Sequence, residues 1–105
     1  MTVYVDQVRI PASVGRYQNR VWCHLLTDDP TMAELHAFAA RIGLRRSWFQ
    51  ETKTLGPHGQ TAWWRNHYDV TEAIRERALA AGAIEIDFEE WAVLTERFKA
   101  MGERW

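Results

Sequence analysis

The chain has 105 residues, 47% of them apolar, and a formal net charge of -1; its length and apolar content fit one buried core and predict a single domain. Near-balanced charge excludes a global field that would draw the protein onto nucleic acid or an anionic membrane, so a nucleic-acid role needs a local patch. Cys23 is the single cysteine, which excludes an internal disulfide and a multi-thiolate zinc site and favours a cytoplasmic setting; no window approaches the roughly 18 apolar residues of a membrane span, and the start lacks a signal-peptide pattern.

Val3, Tyr4, Val5, Val8 and Ile10 are β-branched or aromatic and predict a first strand over about residues 2 to 8, closed by Pro11, with Asp6 near its carboxyl end. Residues 12–19 read as a loop. Val21 to Leu26 is a short continuous apolar run that predicts a buried strand, with a helical start as the alternative. A helix follows, capped either by Asp29 with Pro30 in the first turn or by Thr31 with Glu34 closing a capping box. Its apolar stripe is Met32, Leu35, Phe38, Ala39 and Ile42, and Gly43 stops it.

Residues 45–66 contain Gly56, Pro57 and Gly59 and read as an exposed excursion at about 50–66, with one helical turn near Ser47 to Glu51. His67 to Val70 predicts a short strand. Asp69 with Glu72 forms a capping-box pattern into a helix over about 71 to 81, stopped at Gly82. Ala83 to Ile86 alternates like a strand, and Asp87 with Glu90 introduces a last helix with Trp91, Leu94, Phe98 and Met101 on one face and Gly102 at its end. Strands alternating with helices predict an α/β fold: a single small domain with a short, mostly parallel sheet of three to four strands and three helices.

The segments Val3-Tyr4-Val5-Asp6, Trp22-Cys23-His24-Leu25, Glu34-Leu35-His36-Ala37-Phe38-Ala39, His67-Tyr68-Asp69-Val70 and Ala78 through Ala83 resemble, in this order, a family of short bacterial and bacteriophage proteins catalogued as a domain of unknown function. The resemblance covers roughly residues 1 to 86. It departs from the family pattern in the longer segment before His67, with its Trp63-Trp64 pair, and in the well-formed last helix. It implies a cytoplasmic bacterial or phage protein and carries no activity.

In a parallel sheet, ligands sit beyond the carboxyl ends of the strands, where Asp6, Asp28, Asp29, Asp69 and Asp87 are all expected. Capping alone accounts for Asp29 and Asp87, and competes with a functional reading for Asp69. Asp6, with Asp28 or Asp69 and one or more of His24, His36 and His67, makes a hard-ligand site for a divalent metal, Mg²⁺ or Mn²⁺, that activates water against a phosphate ester. Within it, Asp6, His24 and Asp28 are the metal ligands, and His67, Asp69 and His36 the catalytic groups. His67 and Asp69 share one face of an extended segment, as an Asp-oriented base or ligand pair requires. Simple hydrogen bonding at a core boundary is the rival account of His24 and His36. No dinucleotide, Walker, zincin or nucleophile-elbow motif occurs.

Six tryptophans occupy so short a chain, and binding without catalysis is the competing reading. Arg20 with Trp22, Arg45 and Arg46 with Trp48, and Trp63, Trp64 and Arg65 interleave cations with aromatics. Core packing accounts for Trp22, Trp48 and Trp91. Trp63, Trp64 and Arg65 in a flexible loop suggest a surface for a protein partner, a homodimer contact or a nucleotide, as in a phage accessory factor.

Overall fold

The computed structural model describes residues 2–101; the predicted stop at Gly102, the sixth tryptophan, Trp105, and the side chain of Met101 lie outside them. Six strands, β1 (Val3–Asp6), β2 (Ile10–Val14), β3 (Tyr17–Thr27), β4 (Phe49–Gln50), β5 (His67–Thr71) and β6 (Ile84–Ile86), and three helices, α1 (Ala33–Arg41), α2 (Glu72–Ala80) and α3 (Phe88–Met101), make one α/β domain. The sheet order is β4-β5-β3-β1-β6, with β2 beside the outer half of β3.

The sheet is mixed and six-stranded, not mostly parallel and three- to four-stranded as the alternation of elements predicts. Only β1 and β6 pair in parallel; β1 with β3, β2 with β3, β3 with β5 and β4 with β5 are antiparallel. The cause lies in residues 10–20, which form a hairpin and not a loop. Pro11 does not end the strand, because β2 is an edge and a missing donor there is tolerated. Gly15, at φ 55°, turns the chain between Val14 and Tyr17. Every residue of β2 is exposed, so the ribbon shows none of the inside-outside alternation by which strands are recognised.

Alternation is strict where the sheet is covered. Val3 and Val5, Cys23 and Leu25, and Tyr68 and Val70 point to one face and meet Leu35, Phe38 and Ala39 of α1, Ile42 at its C-cap and Ala78 of α2 in the main core. Burial pushes the Cys23 thiol up to about 11, leaving it a small buried hydrophobe. The opposite face receives α3, through Trp91 tilted against Tyr4 with ring centroids 6.0 Å apart, and a 3-10 turn over Trp63–Arg65.

That turn belongs to a pinned segment. Leu55 bridges Thr61, the Ala62 amide donates to Thr54 O, and buried Asn66 accepts the Thr52 amide at 2.7 Å. Trp64 is only 5% exposed, and it and half-buried Trp63 pack on Phe98 of α3 in a second apolar cluster. Within the excursion expected at 50–66, residues 50–61 are exposed or half-buried, while 62–66 fold back as a cover with Ala62, Trp64 and Asn66 buried. A single 3-10 turn at Arg46–Trp48 replaces the predicted turn at 47–51.

The helix starts differ in detail. The predicted Asp87/Glu90 box is present, with reciprocal bonds of 3.1 and 2.7 Å. Neither predicted frame starts α1: Met32 turns left-handed at φ 65° and the helix begins at Ala33. Buried Asp29 instead reaches across this turn and accepts from the Thr31 amide and hydroxyl and the Glu34 amide at 2.9, 2.7 and 3.1 Å. Asp69 caps nothing, since Thr71 occupies the cap position of α2 without a side-chain bond. No described helix is long and apolar enough to cross a membrane.

Burial opposes charge on Asp29, but those three donors outweigh it and hold its carboxyl below the ordinary range. Its contribution to stability is thus present above its unfolded value of about 3.9 and is lost as pH falls through the lower folded value. Asp29→Ala is expected to cost about 2 kcal/mol at pH 7 in urea melts, with the gap to wild type narrowing below about pH 4. Phe98→Ala is expected to cost about 3 kcal/mol and to shift tryptophan emission to the red, because Phe98 is the buried α3 residue at the centre of the cluster that holds Trp63 and Trp64.

Candidate metal centre

Three neighbouring strands bring the site together on the face opposite the main core. The β1/β3 register runs Val3 to Thr27, Tyr4 to Leu26 and Val5 to Leu25, so Asp6 comes next, opposite His24. On the other side His24 lies opposite Asp69 of β5. Asp6, His24 and Asp69 form a row across the sheet, about 4.8 Å from strand to strand. His67, two residues before Asp69, shares its face.

Side-chain bonds orient the row. The His24 amide donates to Asp6 Oδ1 at 2.8 Å, and His24 Nδ1 lies 2.7 Å from Oδ2 of the same carboxylate. His67 Nδ1 donates to the Arg65 carbonyl at 2.8 Å, a bond that the 3-10 turn positions. With both Nδ1 atoms engaged, both rings present Nε2 to Asp69 Oδ1, at 3.8 Å from His24 and 3.3 Å from His67. The rings meet edge to face at 4.7 Å. Each of His24, His67 and Asp69 offers a ligand atom, all within 4.8 Å of one another. Donors about 2.0–2.1 Å from a tetrahedral ion stand about 3.3 Å apart, so small side-chain shifts would seat a cation.

The electrostatics run the same way. Burial disfavours charge on His67, yet Asp69 and the Arg65 carbonyl outweigh it and hold its pKa above the ordinary imidazole value. His67 in turn holds the Asp69 carboxyl below its usual range, against the effect of burial. The space between Nε2 and Oδ1 thus favours a proton shared between His67 and Asp69. The Asp69 side chain is 41% exposed, which leaves one side of the group open to solvent.

Of the residues picked out in the sequence, Asp6, His24, His67 and Asp69 are brought together. Asp6 serves as a positioning carboxylate for His24 and not as a ligand in the three-residue group. Asp28 is not part of it. In an antiparallel pair the end of β3 meets the start of β1, and Asp28 accepts the Thr2 amide at 2.7 Å there. His36 is also elsewhere: its Nδ1 lies 2.9 Å from the Tyr68 hydroxyl and its ring packs on Phe49, on the core face. Burial and Arg46 lower its pKa. The expectation that Trp63 and Trp64 face solvent together fails, since Trp64 is buried and Trp63 half-buried; Arg65 is exposed, and its carbonyl serves His67.

Arg75 was not legible as a site residue. It is 5% exposed, pairs with Glu85 and reaches the Asp6 carbonyl at 3.4 Å, holding the end of β1 from the core side. Its one signal in the sequence is its place three residues before buried Ala78 on the inward stripe of α2. Beyond Asp6 a cleft of about 500 Å³ is lined by Asp6, Gln7, Val8, Asp87, Phe88, Glu89 and Trp91, which makes that side of the site acidic.

No curated protein and no solved structure matches the chain. One family model, described as "Protein of unknown function (DUF4031)", matches residues 3–98, beyond the 1–86 span of the sequence resemblance and through most of α3. The chain belongs to this family of proteins of unknown function.

Proposed function

We propose that the protein binds one divalent cation through His24 Nε2, His67 Nε2 and the Asp69 carboxylate, and uses it on a phosphate-containing substrate, a nucleotide or nucleic acid. The observation that carries this reading is the orientation of the two imidazoles. Each has its Nδ1 anchored, one by a carboxylate and one by a backbone carbonyl, as metal-ligating histidines are by their outer-shell partners. Two nitrogens and one carboxylate favour Zn²⁺ or Mn²⁺ over the Mg²⁺ that the sequence reading of Asp6, His24 and Asp28 also allows, because Mg²⁺ prefers oxygen donors.

A cation held by His24, His67 and Asp69 would supply Lewis-acid polarisation of a phosphate oxygen and activation of water. Around it the chain's own groups have separate tasks. Asp6 fixes the tautomer and tilt of His24, the Arg65 carbonyl does the same for His67, and the exposed side of Asp69 admits substrate. A buried free thiol at Cys23 suits the cytoplasmic setting expected from the sequence.

Thermal-shift titration of chelator-treated protein with Zn²⁺, Mn²⁺ and Mg²⁺ tests the site. At about a hundredfold excess over Kd, a native-state ligand raises Tm by roughly 10 °C. The rise should vanish in His67→Ala and Asp69→Asn, need about 10- to 100-fold more metal in Asp6→Asn, and persist in His36→Ala. No rise with any of the ions would sink the site. A bound ion without hydrolysis of bis(4-nitrophenyl) phosphate would sink the phosphoesterase half alone.

A further inference from the structure

The face of β3 that bears His24 does not stop at the site. Alternation along the strand puts Trp22 and Arg20 on the same face, and the pairing of Trp22 with Ile10 and of Arg20 with Ala12 keeps that alternation regular as far as Arg20, beyond which the register shifts between Ala12 and Val14 and Asn19 turns left-handed at φ 56°. Four residues of strand carry this line about 13 Å away from His24. Half-buried Trp22 is held by its Nε1, which donates to the Ala12 carbonyl at 3.0 Å. The Tyr17 ring meets it edge-on at 6.0 Å, and Arg16 lies over Tyr17 at 5.6 Å. Aromatic rings and guanidinium groups therefore alternate from the site to the tip.

The charge around the site is lopsided. Residues 7–27 hold three arginines and no aspartate or glutamate, in a chain of net charge -1. Arg9 pairs with Glu72 at the hairpin base, while Arg16 and Arg20 are exposed farther out. On the other side lies the cleft with Asp87 and Glu89. An anionic polymer would be repelled by the cleft and attracted along the hairpin. A bare two-stranded ribbon contributes little to stability, so the fold does not itself require this arrangement.

We propose that the β2–β3 hairpin is a binding arm for single-stranded nucleic acid, on which Trp22 stacks a base and Arg20 and Arg16 hold phosphates, leading a phosphodiester toward His24, His67 and Asp69. For its chemistry this rests on the metal-site reading; for binding it does not. Stacking on aromatic rings beside arginine is tolerant of sequence and sensitive to salt.

The test is fluorescence anisotropy with labelled ten-nucleotide DNA and RNA of one sequence, in EDTA at low salt. EDTA keeps a failure of the metal site from reading as a failure of the arm. The expected result is binding that weakens with salt, falls about fivefold or more in both Arg20→Ala and Trp22→Ala, and is unchanged in Arg97→Ala on α3. Trp22→Phe, which keeps a stacking ring, should recover most of the loss and so guards against a merely misfolded hairpin. The ratio between DNA and RNA then identifies which polymer the arm takes. Affinity undiminished in both Arg20→Ala and Trp22→Ala would overturn the proposal. So would no oligonucleotide binding alongside capture by anionic phosphatidylserine vesicles, which Ile10 and Val14, 47% and 56% exposed on the same hairpin, could mediate.

Discussion

Antiparallel pairing on both sides of the inner half of β3 is the constraint from which the site and the core both follow. It sets Asp6 beside His24 and His24 beside Asp69, so residues far apart in sequence become neighbours about one strand spacing apart. It also closes the main core, because the same register turns Val5, Leu25, Cys23 and Val70 inward. A slip of one residue in β3 would exchange the two sets, burying His24 and exposing Cys23 and Leu25. The hydrophobic effect that fixes the core thereby fixes the polar row on the other face.

The remaining elements aim this row. Arg75 holds the end of β1 through the Asp6 carbonyl, and the Asp6 carboxylate then holds both the backbone and the ring of His24. The turn at Trp63–Arg65 is anchored by Trp64 against Phe98, and its last carbonyl fixes His67. Each imidazole is thus oriented by an element with its own apolar anchor, and the orienting groups differ in kind: a charged carboxylate on one side, a neutral carbonyl on the other. Placing the site's side chains on strands and their supports on packed elements is the arrangement that limits positional play in a site.

Much of this was legible in the residues. The three helices and the strands at β1, β3, β5 and β6 follow from periodicity, and His67 with Asp69 from their spacing of two. Elements whose sequences lack an inward face were not legible. The β2 hairpin lies beyond the core, so nothing in its pattern separates ribbon from loop. Missing it made the sheet look parallel, and from that error came the misplacement of Asp28, which a parallel arrangement would set beside Asp6 and the real one sets at the opposite end. His36 was misjudged for a related reason: one step round from an apolar stripe does not say which face of the sheet the helix covers. Trp63 and Trp64 read as exposed because the partner that buries them, Phe98, is more than 30 residues away.

The long separation between the residues of the row has a consequence for how the protein is made. His24 and Asp6 are 18 residues apart, but His67 and Asp69 enter only with the second half of the chain. A chain emerging from the ribosome can form the β1–β3 hairpin early, since contacts that close short loops form fastest. Until β5 has docked against β3, that intermediate holds one oriented imidazole and no chelating group. On the proposed reading, metal capture would be a property of the finished fold, and half-made chains would have no tight site with which to sequester the ion.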